Sequence, residues 1–305
     1  MRAGPGQRFP RRKRCIKSSR CSCGAKWQRR GFGWSRRGMS CANRTTRVTK
    51  TVPTCCGRRM NSFWVCEAAS GGGTVFTGKV IIVTGAAGNV GSALAGLLAG
   101  RGARIAAVDT VKDRLEAVAA GLPGAGHLAL SDYDLTDAAA TEALVVRVRA
   151  SCGRLDGVGT TVGGFAMAKL ADAGLEQWEH MFALNVKTTW NIYRAAVPVI
   201  RAGGGGALVG IGSAAGLKGG GEMAAYGATK SAVMRLTESL ADELRGDRIR
   251  VNAVLPSTIN TPQNRAAMPG ADTSRWVRPV EVAEAMAFLL SDRASGISGA
   301  LLPVG

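Results

Sequence analysis

Histidine is almost missing from this chain: His127 and His180 are the only two, and beyond residue 66 cysteine occurs once, at Cys152. That long stretch lacks the clustered thiols and imidazoles of a zinc site, and it cannot be stapled by disulfides. We expect no metal there, and a reducing, cytoplasmic setting. No apolar run reaches the roughly 18 residues of a membrane span, so no transmembrane helix is expected. Acidic residues are the third scarcity, and a local one. Residues 1–76 hold 18 of the 40 Lys and Arg but only one of the 21 Asp and Glu, Glu67, a net charge of +17 against +2 for the remainder. The other seven cysteines, Cys15, Cys21, Cys23, Cys41, Cys55, Cys56 and Cys66, fall in that same stretch.

With no sustained apolar periodicity and much Arg, Ser and Gly, residues 1–76 read as a disordered basic extension. Four explanations compete for it, in this order. The first is an over-extended translation start, with Met60 as the true one. The second is an organellar targeting segment, which would be Arg- and Ser-rich and poor in acid. The third is a nucleic-acid-binding arm, in which Arg11-Arg12-Lys13-Arg14 would neutralise phosphates and Trp27 and Trp34 would stack on bases. The last is a zinc site, against which Cys21-x-Cys23, Cys41 and Cys55-Cys56 lack paired Cys-x2-Cys spacing. Residues 77–305 are long enough for one well-buried domain.

From Gly78 short apolar runs alternate with helical stretches. Strands are expected at Val80–Thr84, Arg104–Asp109, His127–Leu130, Asp156–Thr161, Ala207–Ile211, Arg250–Leu255 and Ala300–Pro303. Helices are expected near 89–100, 112–120, 137–150, 175–202, 224–245 and 279–291, with Asp137 as an N-cap. Such alternation with short connections predicts an α/β fold, a single doubly wound parallel sheet (a Rossmann fold) with helices on both faces. Ligands of such sheets bind at the carboxyl ends of the strands.

Thr84-Gly85-Ala86-Ala87-Gly88-Asn89-Val90-Gly91 follows the first strand and opens a helix. Glycines there let the backbone approach a pyrophosphate, and the helix N-terminus offers N–H donors and a positive dipole end. Asp109 ends the second strand; a carboxylate at that place accepts the adenosine ribose hydroxyls and repels a 2′-phosphate, which favours NAD over NADP. Lys112 and Arg114 nearby keep NADP in play. Asp134-Leu135 follows the third strand, within reach of an adenine ring. Tyr226 and Lys230 share a helix face at i and i+4, thirteen residues after Ser213. A lysine cation held close favours the phenolate and lowers a tyrosine pKa from about 10. A phenol so tuned can give a proton to a carbonyl oxygen or take one from an alcohol.

The ordered set of glycine turn, Asp109, Asp134-Leu135, Asn185-Val186 after Trp178, Ser213, Tyr226-x-x-x-Lys230, and Pro256 with Thr261 resembles the short-chain dehydrogenase/reductase family over 78–305. The resemblance implies an NAD(P)-dependent oxidoreductase acting on a small-molecule alcohol or carbonyl, and a homodimer or homotetramer joined through its two longest helices. It implies Tyr226 as general acid and base, and Lys230 as the group that lowers its pKa and binds the nicotinamide ribose. Ser213 would orient the substrate oxygen; Asn185 would bend the helix 175–202 and hold a water linking Lys230 to solvent. For the cofactor it implies Gly85, Gly88, Asn89, Val90, Gly91, Asp109, Asp134, Leu135, Thr160, Val162 and Gly163, then Pro256, Ile259 and Thr261 around the nicotinamide.

Three departures from that family's pattern stand out. Its common turn is Thr-Gly-x-x-x-Gly-x-Gly, whereas here Asn89 takes the middle glycine position and Gly88 lies one place earlier; asparagine tolerates left-handed backbone, so the turn is expected to survive. Its Asn-Asn-Ala-Gly is replaced by Thr160-Thr161-Val162-Gly163, which is expected to weaken the local structure. Its Pro-Gly after the sixth strand is Pro256-Ser257. A loop over Ser257–Trp276 is expected to close the substrate pocket, with Met268, Pro269 and Trp276 as apolar lining and Arg265, Arg275 and Arg278 able to meet an acidic group. The leading function is therefore an NAD-dependent alcohol dehydrogenase or carbonyl reductase, with a 3-oxoacyl-type carbonyl as a candidate substrate. The alternative is a dinucleotide-binding module whose basic arm engages nucleic acid, with catalysis incidental.

Overall fold

Every residue of Val80–Thr84 is buried, as a strand must be when both faces of its sheet are covered. Ile81 and Val83 point into one apolar cluster and Val80 and Ile82 into another, the alternation of side chains along a pleated strand. The computed structural model describes residues 75–305, and separately two short strands, Arg59–Met60 and Phe63–Trp64, paired antiparallel. The readings of residues 1–74 otherwise lie outside the described residues. One boundary shifts: Phe76, assigned to the extension, is fully buried in the core, and its N–H donates to the Arg101 carbonyl at 3.0 Å.

The body runs β1 (Val80–Thr84), α1 (Asn89–Gly100), β2 (Arg104–Val108), α2 (Lys112–Ala120), β3 (Leu128–Leu130), α3 (Ala138–Cys152) and β4 (Gly157–Thr160). It continues with α4 (Leu175–Phe182), a π-helical turn (Ala183–Lys187), α5 (Thr188–Ala202), β5 (Gly206–Ile211), α6 (Ala224–Glu243), β6 (Ile249–Pro256), α7 (Pro262–Ala267), α8 (Pro279–Leu290) and β7 (Leu301–Val304). The strands form one parallel sheet in the order β3-β2-β1-β4-β5-β6-β7. One face is covered by α1, α2 and α8, through Leu94, Leu115 and Met286. The other is covered by α3, α5 and α6, through Leu144, Ile192 and Leu240. This is the doubly wound architecture expected, and the chain order reverses between β1 and β4, the place where such sheets open a crevice.

Asp137 caps α3 as expected, its Oδ1 accepting the Ala139 N–H at 2.8 Å, which contributes about 1 kcal/mol. Three strands start one residue later than expected because a side chain takes over the pairing; in β7, which begins at Leu301, Asn252 Oδ1 accepts the Ala300 N–H at 2.9 Å. The His127 ring accepts the Ile105 N–H at 3.1 Å, so β3 begins at Leu128. Asp156 Oδ2 accepts the Val80 N–H at 2.8 Å, so β4 begins at Gly157. The helix expected over 175–202 is interrupted by the π-helical turn, and α7 lies where no helix was expected. Among the described residues no helix is long and apolar enough to cross a membrane, and no group of three His, Cys, Asp or Glu could hold a metal ion.

Candidate active site

A cleft of about 260 Å³ opens at the carboxyl ends of the strands around the β1/β4 reversal. Of the residues expected at a cofactor it gathers Gly85, Gly88, Asp109, Asp134, Leu135, Val162 and Gly163. A larger cavity of about 650 Å³ lies at the opposite ends of the strands, where several of its charged side chains are held by one another or by backbone carbonyls. There Lys79 pairs with Asp292 at 2.5 Å, and Arg250 donates to the carbonyls of Leu289 and Ser291 at 2.7 and 2.9 Å.

The glycine turn is tightly drawn. Gly85 adopts φ +68, in the left-handed region, and a methyl group on Gly91 would overlap the Gly85 carbonyl. The first turn of α1 therefore lies directly on the strand end, closer than any side chain would allow. Gly88 is the N-cap of α1, and no side chain caps that end. Its leading amides stay open to an anion. The Val90 side chain itself is buried in the core, so only its backbone can serve a ligand. Asp109 binds the turn from the side: its Oδ2 accepts the Ala87 N–H and its Oδ1 the Val111 N–H, both at 3.0 Å. Arg114 donates to the Ala87 carbonyl at 2.6 Å. Asp134 Oδ1 is held by the Thr136 N–H and hydroxyl at 2.8 Å each. An uncapped helix end, a close-packed glycine turn and an oriented carboxylate on one cleft suit the phosphates and ribose of a dinucleotide.

Thr160 and Thr161 have exchanged expectations. Thr160 is 3% exposed and does not line the cleft. Its hydroxyl and that of the buried Tyr193 flank Gly210, where a methyl group would come within 3.4 and 3.1 Å of them. Thr161, which the sequence reading passed over, lines the cleft and donates its hydroxyl to the Thr84 carbonyl at 2.7 Å and the Gly85 carbonyl at 3.2 Å. The turn is thus braced by a threonine hydroxyl where the family's pattern has asparagine. Pro256, Ile259 and Thr261 lie apart from this cleft lining. Pro256 ends β6, Ile259 bridges to Val277, and Thr261 caps α7 by accepting the Asn264 N–H at 3.2 Å.

The second cluster is assembled from β5, α6 and the π-helical turn. Ser213 follows β5 and stands near enough to the Tyr226 phenol to draw its pKa down; its Oγ accepts the Ala215 N–H at 3.2 Å. One turn along α6, the Lys230 ammonium is buried, lies 5.8 Å from the Tyr226 ring centroid, and donates to the Ile211 carbonyl at 3.2 Å. The expected electrostatics need correction here. Burial pushes the Tyr226 phenol above its ordinary value, and the neighbouring Ser213 hydroxyl pulls it down. Burial also lowers the pKa of Lys230, to about 8.

Asn185 is fully buried in the π-helical turn, a common device where a helix is bent at a functional site. Its Oδ1 accepts the Gly164 N–H at 3.0 Å, and its Nδ2 donates to the Gly164 carbonyl at 3.2 Å and to Thr229 Oγ1 at 3.1 Å. Thr229 Oγ1 donates in turn to the Tyr226 carbonyl at 2.8 Å. Thr229 and Phe165 were not anticipated. Phe165 packs edge-on against the Tyr226 ring at 4.9 Å and is 58% exposed, an apolar wall beside the phenol. A threonine inside Tyr-x-x-x-Lys gives no sequence signal of its own, and a phenylalanine in a loop gives none either.

The model of the short chain dehydrogenase family matches residues 79–271. The chain is 35% identical over 238 residues to D-threitol dehydrogenase from Mycolicibacterium smegmatis, covering 74% of this chain and 91% of that one. It is similar to the solved structure of a short-chain type dehydrogenase/reductase from Mycobacterium ulcerans, with a TM-score of 0.72 at 32% identity over 75% of this chain and 89% of that chain. It is similar also to NAD+-bound xylitol dehydrogenase, with a TM-score of 0.69 at 29% identity over 75% and 98% of the two chains. Fold, cleft and sequence agree, and the chain belongs to the short-chain dehydrogenase family of oxidoreductases.

Proposed function

We propose that the protein interconverts a secondary alcohol and a carbonyl with NAD, and that Tyr226 is the general acid and base. The observation that carries this reading is the buried Lys230 ammonium 5.8 Å from the Tyr226 ring, with Ser213 at the end of β5 beside them. When bound, NAD supplies the acceptor for the hydride of an alcohol, and its reduced form the donor to a carbonyl. The chain supplies the rest. Ser213 and Tyr226 each offer a hydroxyl to one substrate oxygen: Ser213 orients it, and Tyr226 gives or takes its proton. A phenol raised by burial stays protonated, so its proton is present for carbonyl reduction although it is the weaker acid for it. For alcohol oxidation the phenolate must form, and the nearby Lys230 cation then favours it. With a pKa near 8, Lys230 is still mostly protonated at neutral pH. The path Asn185–Thr229–Tyr226 carbonyl fixes the turn of α6 that aims the phenol.

The amides of the Gly85–Gly91 turn and the α1 N-terminus would receive the phosphates. Asp109, already oriented by two amides, would take the ribose hydroxyls and disfavour a 2′-phosphate, supporting NAD over NADP. Asp134 and Leu135 would meet the adenine, and Pro256, Ile259 and Thr261 the nicotinamide end.

The test is Tyr226→Phe. Turnover should fall by about 10²–10⁴-fold, while NADH binding, read by fluorescence, stays close to wild type. Unchanged turnover would end the proposed role of the phenol. A panel of secondary alcohols, ketones, polyols and a 3-oxoacyl thioester, followed by NADH absorbance with NADP in parallel, reads the substrate and the cofactor together.

A further inference from the structure

The helix α7 has little to hold it. None of its six residues is buried. The Thr261 cap, the bond from Asn264 Nδ2 to the Ile259 carbonyl at 2.8 Å and the bond from Arg265 to Asn260 Oδ1 at 2.6 Å all stay within residues 259–268. Among the described residues one side-chain hydrogen bond from α7 reaches beyond that neighbourhood. Asn89 Nδ2 donates to Gln263 Oε1 at 3.0 Å, joining positions 174 apart in sequence.

The place where this bond lands matters. Asn89 is the first residue of α1, at the helix end that no side chain caps. It also stands where the family's common turn has glycine, which has no side chain with which to reach α7. A polar side chain at the mouth of a phosphate-receiving helix end is therefore tied, in this chain, to a surface helix whose other side-chain hydrogen bonds are all local.

We propose that Asn89 and Gln263 form a clasp that holds α7 beside the N-terminus of α1 and slows the departure of a bound dinucleotide. This inference rests on the dinucleotide reading above. A ligand whose phosphates sit on the α1 N-terminus leaves after the groups around that end part, and closing segments of this kind set many release rates. Gln263 is a positioning residue in this scheme: it acts through Asn89 and α7.

The test is stopped-flow displacement of NADH, read by its fluorescence, from the full-length protein and from Asn89→Ala, Gln263→Ala and the double variant. Loss of one exposed neutral hydrogen bond predicts release faster by about 3- to 10-fold in either single variant. The double variant should release no faster than the singles, because both remove the same bond. Gln263 is exposed on a short helix, so Gln263→Ala should fold normally. In its cofactor-free form amide exchange across 262–267 should exceed that of the wild type. Unchanged release from Gln263→Ala, or acceleration that multiplies in the double variant, overturns the clasp and leaves the dinucleotide reading standing. Failure of the wild type to bind NADH or NADPH overturns both.

Discussion

Lys230→Met should make the protein inactive and more stable at once. The ammonium is fully enclosed, and burial lowers its pKa from 10.5 to about 8. At about 1.36 kcal/mol per pH unit, keeping that charge at neutral pH costs the folded state about 3 kcal/mol. Methionine fills a similar volume without charge, but it forfeits the bond to the Ile211 carbonyl, a loss of about 1 kcal/mol. The net expectation is a gain of about 1–2 kcal/mol at pH 7, or roughly 2–8 °C in Tm for a domain of this size. The pH dependence gives a second, sharper signature. Folded Lys230 releases its proton near pH 8, whereas the unfolded chain holds it to about 10.5. Between those values the unfolded state binds more protons, so wild-type stability rises with pH through that window and the advantage of the variant shrinks. Denaturant melts at fixed protein concentration, at pH 7 and pH 10, measure both. A variant less stable than wild type at pH 7, or an advantage that does not narrow by pH 10, would refute the reasoning.

Gly91→Ala should cost about 1–3 kcal/mol by overpacking, because the new methyl group meets the rigid Gly85 carbonyl; a thermal melt reads the loss, and NADH titration should show weakened binding. Asp109→Asn keeps the oxygen that can accept the Ala87 amide but removes the charge. Relief of repulsion worth about 1–2 kcal/mol should improve kcat/KM for NADP relative to NAD by roughly tenfold, and an unaltered ratio would remove Asp109 from cofactor choice. Asn185→Ala strands the Gly164 amide and carbonyl and breaks the link to Thr229. It should destabilise by about 2–3 kcal/mol and lower kcat more than it raises KM; a change in KM alone would argue against its hold on the α6 turn.

The sheet was legible in the sequence because its strands are short apolar runs with both faces buried, and Val80–Thr84 lies on the expected residues. The strand starts at His127 and Asp156 were misplaced because apolar and β-branched patterning cannot show that a side chain will stand in for a backbone partner. The helix α7 carried a signal that went unread: Thr261 is a good N-cap and Pro262 suits the first helical position. Its six residues bury nothing, so apolar periodicity had nothing to register. The roles of Thr160 and Thr161 depended on which side of β4 each faces where the strand ends, one inward to Tyr193 and one over the glycine turn. Adjacent identical residues give no such information. Tyr226, Lys230 and Ser213 were legible by spacing, whereas the electrostatic order among them was not, since burial depends on the packed fold.

The two clusters meet at Gly163, and this contact explains why one lysine can serve both. Gly163 lines the cleft between the β1 and β4 loops. A methyl group there would come within 2.8 Å of Asn185 Oδ1 and 3.1 Å of Lys230 Nζ. The ammonium is therefore separated from the cleft wall by a residue without a side chain, while its other neighbours are the Ile211 carbonyl and the Tyr226 ring. Any larger residue at 163 would push Lys230 back from the cleft or displace Asn185 from Gly164 and Thr229. A cation that is costly to bury is retained at the one point where it can face both the proposed cofactor and the phenol. Its lowered pKa is then a consequence of position: the same enclosure that raises the energy of the charge places it beside the Tyr226 ring and directly behind Gly163.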